Sequence, residues 1–172
     1  MAPGKLLTRL SIWLALAAYA VAIAFRRRFN GTTERQRHAR LAWTLGCAFF
    51  LAHVVFAFAF IHHWSHEAAW RETARQTAEL TGWHWGGGIY LNYLFAALWL
   101  GDVLWWWIAP THFDRRSRWI GILWQGFFFF MVFNAAIVFA HGPARLLGIV
   151  LCTALAILCW PRLQRHGTDP SP

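Results

Sequence analysis

The chain has 172 residues, 58% of them hydrophobic and only 13% charged, about half the charged share of a typical soluble domain. That balance excludes an ordinary water-soluble domain and points to lipid as the surrounding medium. The net charge of +9 argues for no nucleic-acid partner, because the arginines fall in short clusters beside apolar runs, where membrane topology accounts for them.

The length suits one helical bundle. The expected fold class is all-α: a polytopic integral membrane bundle of about five transmembrane helices within residues 1–160, with one short amphipathic helix on its outer surface and a polar tail over 161–172. The first span covers about 6–25. Ser11 is the one polar residue between Leu10 and Phe25, and Arg9 can snorkel from the first turn. Arg26, Arg27 and Arg28 follow at once, the flank of a membrane stop and not of a cleavage site. Ser11, Ala15, Ala18 and Ala22 repeat at steps of four, three and four, a small-residue face that lets a neighbouring helix approach closely.

An arginine-rich polar loop is expected over 26–40, with a turn at Asn30-Gly31, and the second span over about 41–61. That span holds His53 near its middle and opens into a group of ionisable residues, His62, His63, His66 and Glu67. Ser65 can cap a helix over about 66–80, in which Trp70, Ala74, Thr77 and Leu80 form one stripe, and Thr81-Gly82 stops it. The run Trp83-His84-Trp85-Gly86-Gly87-Gly88 lacks the Lys-Ser/Thr of a phosphate loop, so the glycines read as a hinge or a close-packing point. Spans over about 89–108, 119–140 and 146–160 complete the bundle, the last shorter than the usual ~17 residues unless its flanks contribute. Cys47, Cys152 and Cys159 all lie in apolar runs and read as small buried hydrophobes.

With five spans, one side receives 11 Lys and Arg (six in 26–40, three in 110–118, two in the tail) and the other five (two, two and one), which accounts for all 16. The positive-inside rule then puts the N-terminus and the histidine-rich loop outside and the tail in the cytoplasm. Trp43, Trp105 to Trp107, Trp119 and Trp160 fall at the expected inner boundary, and Trp64, Trp70, Trp83 and Trp85 near the outer one, as an aromatic belt would.

Two sets of residues could carry chemistry. His62, His63, His66, Glu67, His84 and His141 collect at the outer level; the four-residue step from His62 to His66 suits two imidazoles on one transition metal, and an outer-edge haem could sit between His62 or His63 and His141. His53, Asp102, Gln125 and Asn134 lie within spans. An aspartate near mid-bilayer costs about 2.5–3.5 kcal/mol, so Asp102 should face the interior, with His53 or Gln125 as its partner by depth. A hydrogen-bonded pin between helices is favoured there over a proton relay, since polar groups are too few to line a path. No HExxH, Walker loop, CxxCH or Ser-His-Asp arrangement occurs.

The stretches LAHVVFAF, HHWSHEAAW, TARQTAELTGWHWGGGIYLNYLF, LWLGDVLWWW and FFFFMVFNAAIVFAHGP cover most of residues 41–143. In their His, Trp and Gly positions they resemble a group of small multi-span bacterial membrane proteins that carry no assigned function. The resemblance implies a bacterial inner-membrane protein and carries over no catalytic residue. Two functions follow as expectations. One is a non-enzymatic membrane component or accessory subunit, working with a membrane-protein partner or a second copy of itself. The alternative is a metal- or haem-dependent redox or ligand-handling protein that uses the outer histidines.

Overall fold

The computed structural model describes residues 3–28, 33–140 and 142–159. Every regular element among them is helical: α1 (Pro3–Arg28), α2 (Thr33–Phe60), α3 (His66–Thr81), α4 (Gly88–Ile108), α5 (Pro110–Asp114), α6 (Arg118–Phe133), a π turn (Asn134–Val138) and α7 (Pro143–Cys159). Four stretches have the length and apolarity to cross a membrane: Pro3–Arg26, Thr33–Phe60, Gly88–Ile108 and Arg118–Val138. At 17 residues, α7 rises only about 26 Å, short of a ~30 Å hydrocarbon core.

The expected 26–40 loop is largely helix. α1 runs on through Arg26 to Arg28 and α2 has begun by Thr33, because arginine is a good helix former whose stem can lie along apolar surface. The expected Asn30-Gly31 turn and the 161–172 tail lie outside the described residues. α1 and α2 form an antiparallel hairpin. Phe25 stacks on His38 at one end with ring centroids 5.7 Å apart, and Gly4 fits against the Phe60 side chain at the other. The small-residue face of α1 lies in this interface, with Ser11, Ala15 and Ala22 buried and Ala18 half-buried.

The core is aromatic. Tyr19 of α1, Trp43 and Phe50 of α2, Phe95 and Trp99 of α4 and Phe128 of α6 are all buried, with ring centroids between 4.6 and 6.2 Å apart. Such offset and edge-on pairs contribute about 0.5–1.5 kcal/mol each beyond the area they bury. This placement corrects the assignment of Trp43 to the membrane-boundary belt, since it is 1% exposed. The tryptophan triplet divides in the same way. Trp106 is buried and stacks on Phe113 of α5 at 4.6 Å, while Trp105 and Trp107 face outward.

α3 forms with the caps its sequence specifies. Ser65 Oγ accepts from the Ala68 N–H, and Gly82 closes the helix in the left-handed region with its N–H donating to Ala78. Ala69 and Ala74 pack inward, while Trp70 and Leu80 are exposed. A Cβ on Gly86 would meet the Trp70 ring at 2.5 Å, so the indole lies across bare backbone just before α4. The glycines therefore serve as a close-packing point.

Candidate functional site

The one buried carboxylate among the described residues is Asp102, 2% exposed, on the inward face of α4 in its C-terminal half. Its partner is neither His53 nor Gln125. Arg116, 11% exposed, donates from Nη1 to Asp102 Oδ1 at 2.8 Å. The chain reaches this position because Pro110 opens α5 directly after α4, and a proline at the first helical position fixes the tight return. The five-residue turn carries Phe113 into the core beside Trp106 and brings Arg116 back against the end of α4.

Other cations gather at the same end. The Arg116 guanidinium lies 4.3 Å from the Phe113 ring centroid, and that of Arg26 lies 5.5 Å from the same ring and 5.0 Å from Trp106. Arg40 sits 4.1 Å over Trp107 and donates to the Trp106 carbonyl at 3.4 Å. Trp107 Nε1 in turn donates to Thr44 Oγ1 at 2.9 Å. Cation–π contacts of this kind let guanidinium groups rest at the edge of an apolar bundle without full hydration. Between α1, α5 and the start of α6 is a cavity of ≈ 530 Å³, lined by Arg26, Arg116, Arg118, Asp114, Ser117 and Gln125 with apolar contributions from Ile23, Phe113 and Ile122.

The remaining intramembrane polar residues are dispersed. His53 Nδ1 lies 2.8 Å from the Thr8 carbonyl oxygen, tying α2 to α1. Gln125 Nε2 donates to the Tyr19 hydroxyl, so it links α6 to the core and not to Asp102. Asn134 Nδ2 donates to the Phe130 carbonyl at 2.8 Å, and the Asn134 carbonyl accepts from the Phe139 N–H. His53 and Gln125 each pin two helices together, whereas Asn134 bonds only along its own helical stretch; none touches another, and no relay forms from them among the described residues.

At the opposite end the expected metal constellation does not assemble. Among the described residues no three His, Cys, Asp or Glu side chains come together as a metal ion requires. His66 Nδ1 lies 2.8 Å from the Tyr93 hydroxyl, and His62 meets the edge of Phe58. α2 ends at Phe60, so the His62–His66 step does not lie on one continuous helix. His63 and Trp64 turn the chain in the left-handed region, at φ 50° and 58°, and this turn breaks the shared face. Glu67 pairs with Arg71, His84 is exposed, and His141 lies outside the described residues. Burial pushes the His62 imidazole below its ordinary range, and the hydrogen bond from Arg75 holds Glu72 below the usual carboxylate range.

Sequence reasoning missed Arg116, Arg26, Arg118, Trp106 and Phe113 as a group. The available signal was Ala109-Pro110 one residue after a tryptophan triplet, followed by a three-arginine turn. Comparison with protein families, with curated proteins and with solved structures finds no match to this chain.

Proposed function

We propose that the protein is a multi-pass component of a bacterial inner membrane, non-enzymatic, acting as an accessory subunit beside a membrane-protein partner or a second copy of itself. The observation that carries this reading is the distribution of its surfaces. Large apolar side chains face outward along the four long helices, among them Leu14, Val21, Leu45, Val55, Leu104 and Leu123, while the buried ion pair found among the described residues, Asp102 with Arg116, lies inside the bundle beside Phe113. A bundle in water would reverse that order, since exposed apolar patches of this extent drive association. Charge distribution supports an orientation with the N-terminus and α3 outside and the arginine-rich end in the cytoplasm. α7 serves as a fifth span, its short helix matched to the bilayer by local thinning.

The expected outcome of an alkaline carbonate wash is that the protein stays with the membrane pellet. Cross-linking in native membranes should then give a discrete higher-mass species. Release into the wash would overturn the membrane reading. A Soret band, or stoichiometric copper, zinc or iron in purified protein, would replace the accessory role with a metal-dependent one.

A further inference from the structure

The geometry points to a binding site for a phosphate ester in the cavity between α1, α5 and α6, the phosphate being that of an anionic lipid headgroup or of a soluble phosphate. This rests on the membrane reading above, which puts the cavity at the level of the inner headgroups.

The first argument is charge. The wall carries three guanidinium groups, those of Arg26, Arg116 and Arg118, against one lining carboxylate, Asp114. Arg116 is paired with Asp102 and Arg26 rests on the Trp106 and Phe113 rings, while Asp114 is exposed, where water screens it. Guanidinium is also the side chain best matched to phosphate, because its planar fork gives two parallel hydrogen bonds to one phosphate group. Arg116 is the rigid member: the Asp102 bond and the Phe113 face fix its plane, so little freedom is lost when an anion arrives.

The second argument is the backbone. The 16-residue helix α6 begins on this cavity at Arg118, and Ser117 makes no capping hydrogen bond. The first N–H groups of a helix and its dipole favour an anion. Ser117 and Arg118, where α6 begins, line the same space as Arg26 and Arg116.

The third argument is shape. The volume of ≈ 530 Å³ falls in the range of small-molecule sites, about 300–1,000 Å³. Gly121 forms part of the wall, and a Cβ there would meet only Arg116 Nε, at 4.0 Å. Ile23 and Ile122 supply an apolar side, and Ile122 is exposed on the outward surface of α6. A wall that combines guanidinium groups with the exposed Ile122 suits an amphiphile whose phosphate meets the arginines and whose acyl chains run along Ile122. Basic pockets between helices at a cytoplasmic boundary take anionic headgroups for these reasons.

The test uses the full chain purified in a neutral detergent, with phosphatidylglycerol, phosphatidylcholine and inorganic phosphate as probes and native mass spectrometry as the readout. Phosphatidylglycerol should bind about tenfold or more tightly than phosphatidylcholine, the scale of one charge-assisted contact. Two variants report the place: the double variant Arg26→Gln/Arg118→Gln, which removes charge, and Gly121→Leu, which fills the cavity and leaves every charge in place. Each should lower phosphatidylglycerol affinity about tenfold with the melting midpoint retained; if the double variant fails to fold, Gly121→Leu carries the test alone. Displacement of bound lipid by millimolar inorganic phosphate supports the phosphate site and assigns it to a soluble ligand. Lack of displacement, with the variants impaired, supports the lipid. Equal binding of both lipids, or undiminished binding in Gly121→Leu, overturns the site. A protein that stays in the alkaline-washed membrane yet shows no preference refutes this inference alone, whereas one washed free refutes the membrane reading beneath it.

Discussion

Removing the Asp102 carboxylate alone leaves the Arg116 guanidinium nearly buried and without its counter-charge. Breaking one side of a buried pair costs about 3–5 kcal/mol, chiefly because the remaining charge has lost both water and partner, whereas replacing both members by apolar residues is often neutral. Asp102→Ala should therefore be severely destabilising, Asp102→Asn less so because its amide oxygen can still accept from Arg116, and Asp102→Leu/Arg116→Leu nearer to the parent than Asp102→Ala. Denaturant unfolding in detergent micelles orders the four proteins. A double variant at least as unstable as Asp102→Ala would show that the pair is not the unit that matters. The ordering follows from geometry that no residue spacing announces. Asp102 is conspicuous in an apolar run, so that it should be buried and partnered is legible; that its partner is Arg116 is not. In the sequence Arg116 is one of three arginines in a turn, and topology alone explains it. Only the return of α5 upon α4 reveals its second role.

At the scale of elements, close approach is set by glycines, and not all of them matter equally. The Cβ of an alanine at position 148 would lie 1.9 Å from the Ala136 carbonyl oxygen in the π turn, which is backbone and cannot swing aside. Overpacking of that kind costs about 1–3 kcal/mol, and it would push α7 away from the bundle. Gly126, on α6, has nothing within 4 Å of such a Cβ, so alanine there should be neutral or stabilising through helix propensity. In thermal melts Gly148→Ala should fall below the parent, and Gly126→Ala should stay level with it or rise above it. Equal midpoints would mean that α7 does not depend on contact with the π turn. The ends of α3 are legible in the sequence because caps have a local chemistry: serine before the helix, glycine after it. The tryptophans are legible only in part. An indole suits both the headgroup level and an aromatic core, so Trp43 and Trp106 look like belt residues until their neighbours in other helices are known.

For the molecule as a whole, the two ends differ in chemistry, and that difference sets how the bundle must sit. One end gathers Arg26, Arg40 and Arg116 on aromatic rings. The other carries α3, whose arginines are engaged by Glu67, Glu72 and Glu79 in pairs along one helix. The α3 loop thus holds only two arginines, both beside carboxylates, whereas the opposite end carries 11 Lys and Arg against few carboxylates, Glu34 and Asp114 among them, and it is the Lys and Arg count that sets the side retained in the cytoplasm. The structure gives the argument a concrete form, because Arg75 and Asp114 are exposed at opposite ends of the bundle. In a background with the three native cysteines replaced by serine or alanine, Arg75→Cys should react with a membrane-impermeant maleimide on intact cells. Asp114→Cys should react only after the membrane is opened. Labelling of both on intact cells would deny that α4, the span between them, crosses the bilayer. The reverse pattern would keep the bundle and invert it, placing the arginine cavity on the outer face, away from the charge bias that argues for its side.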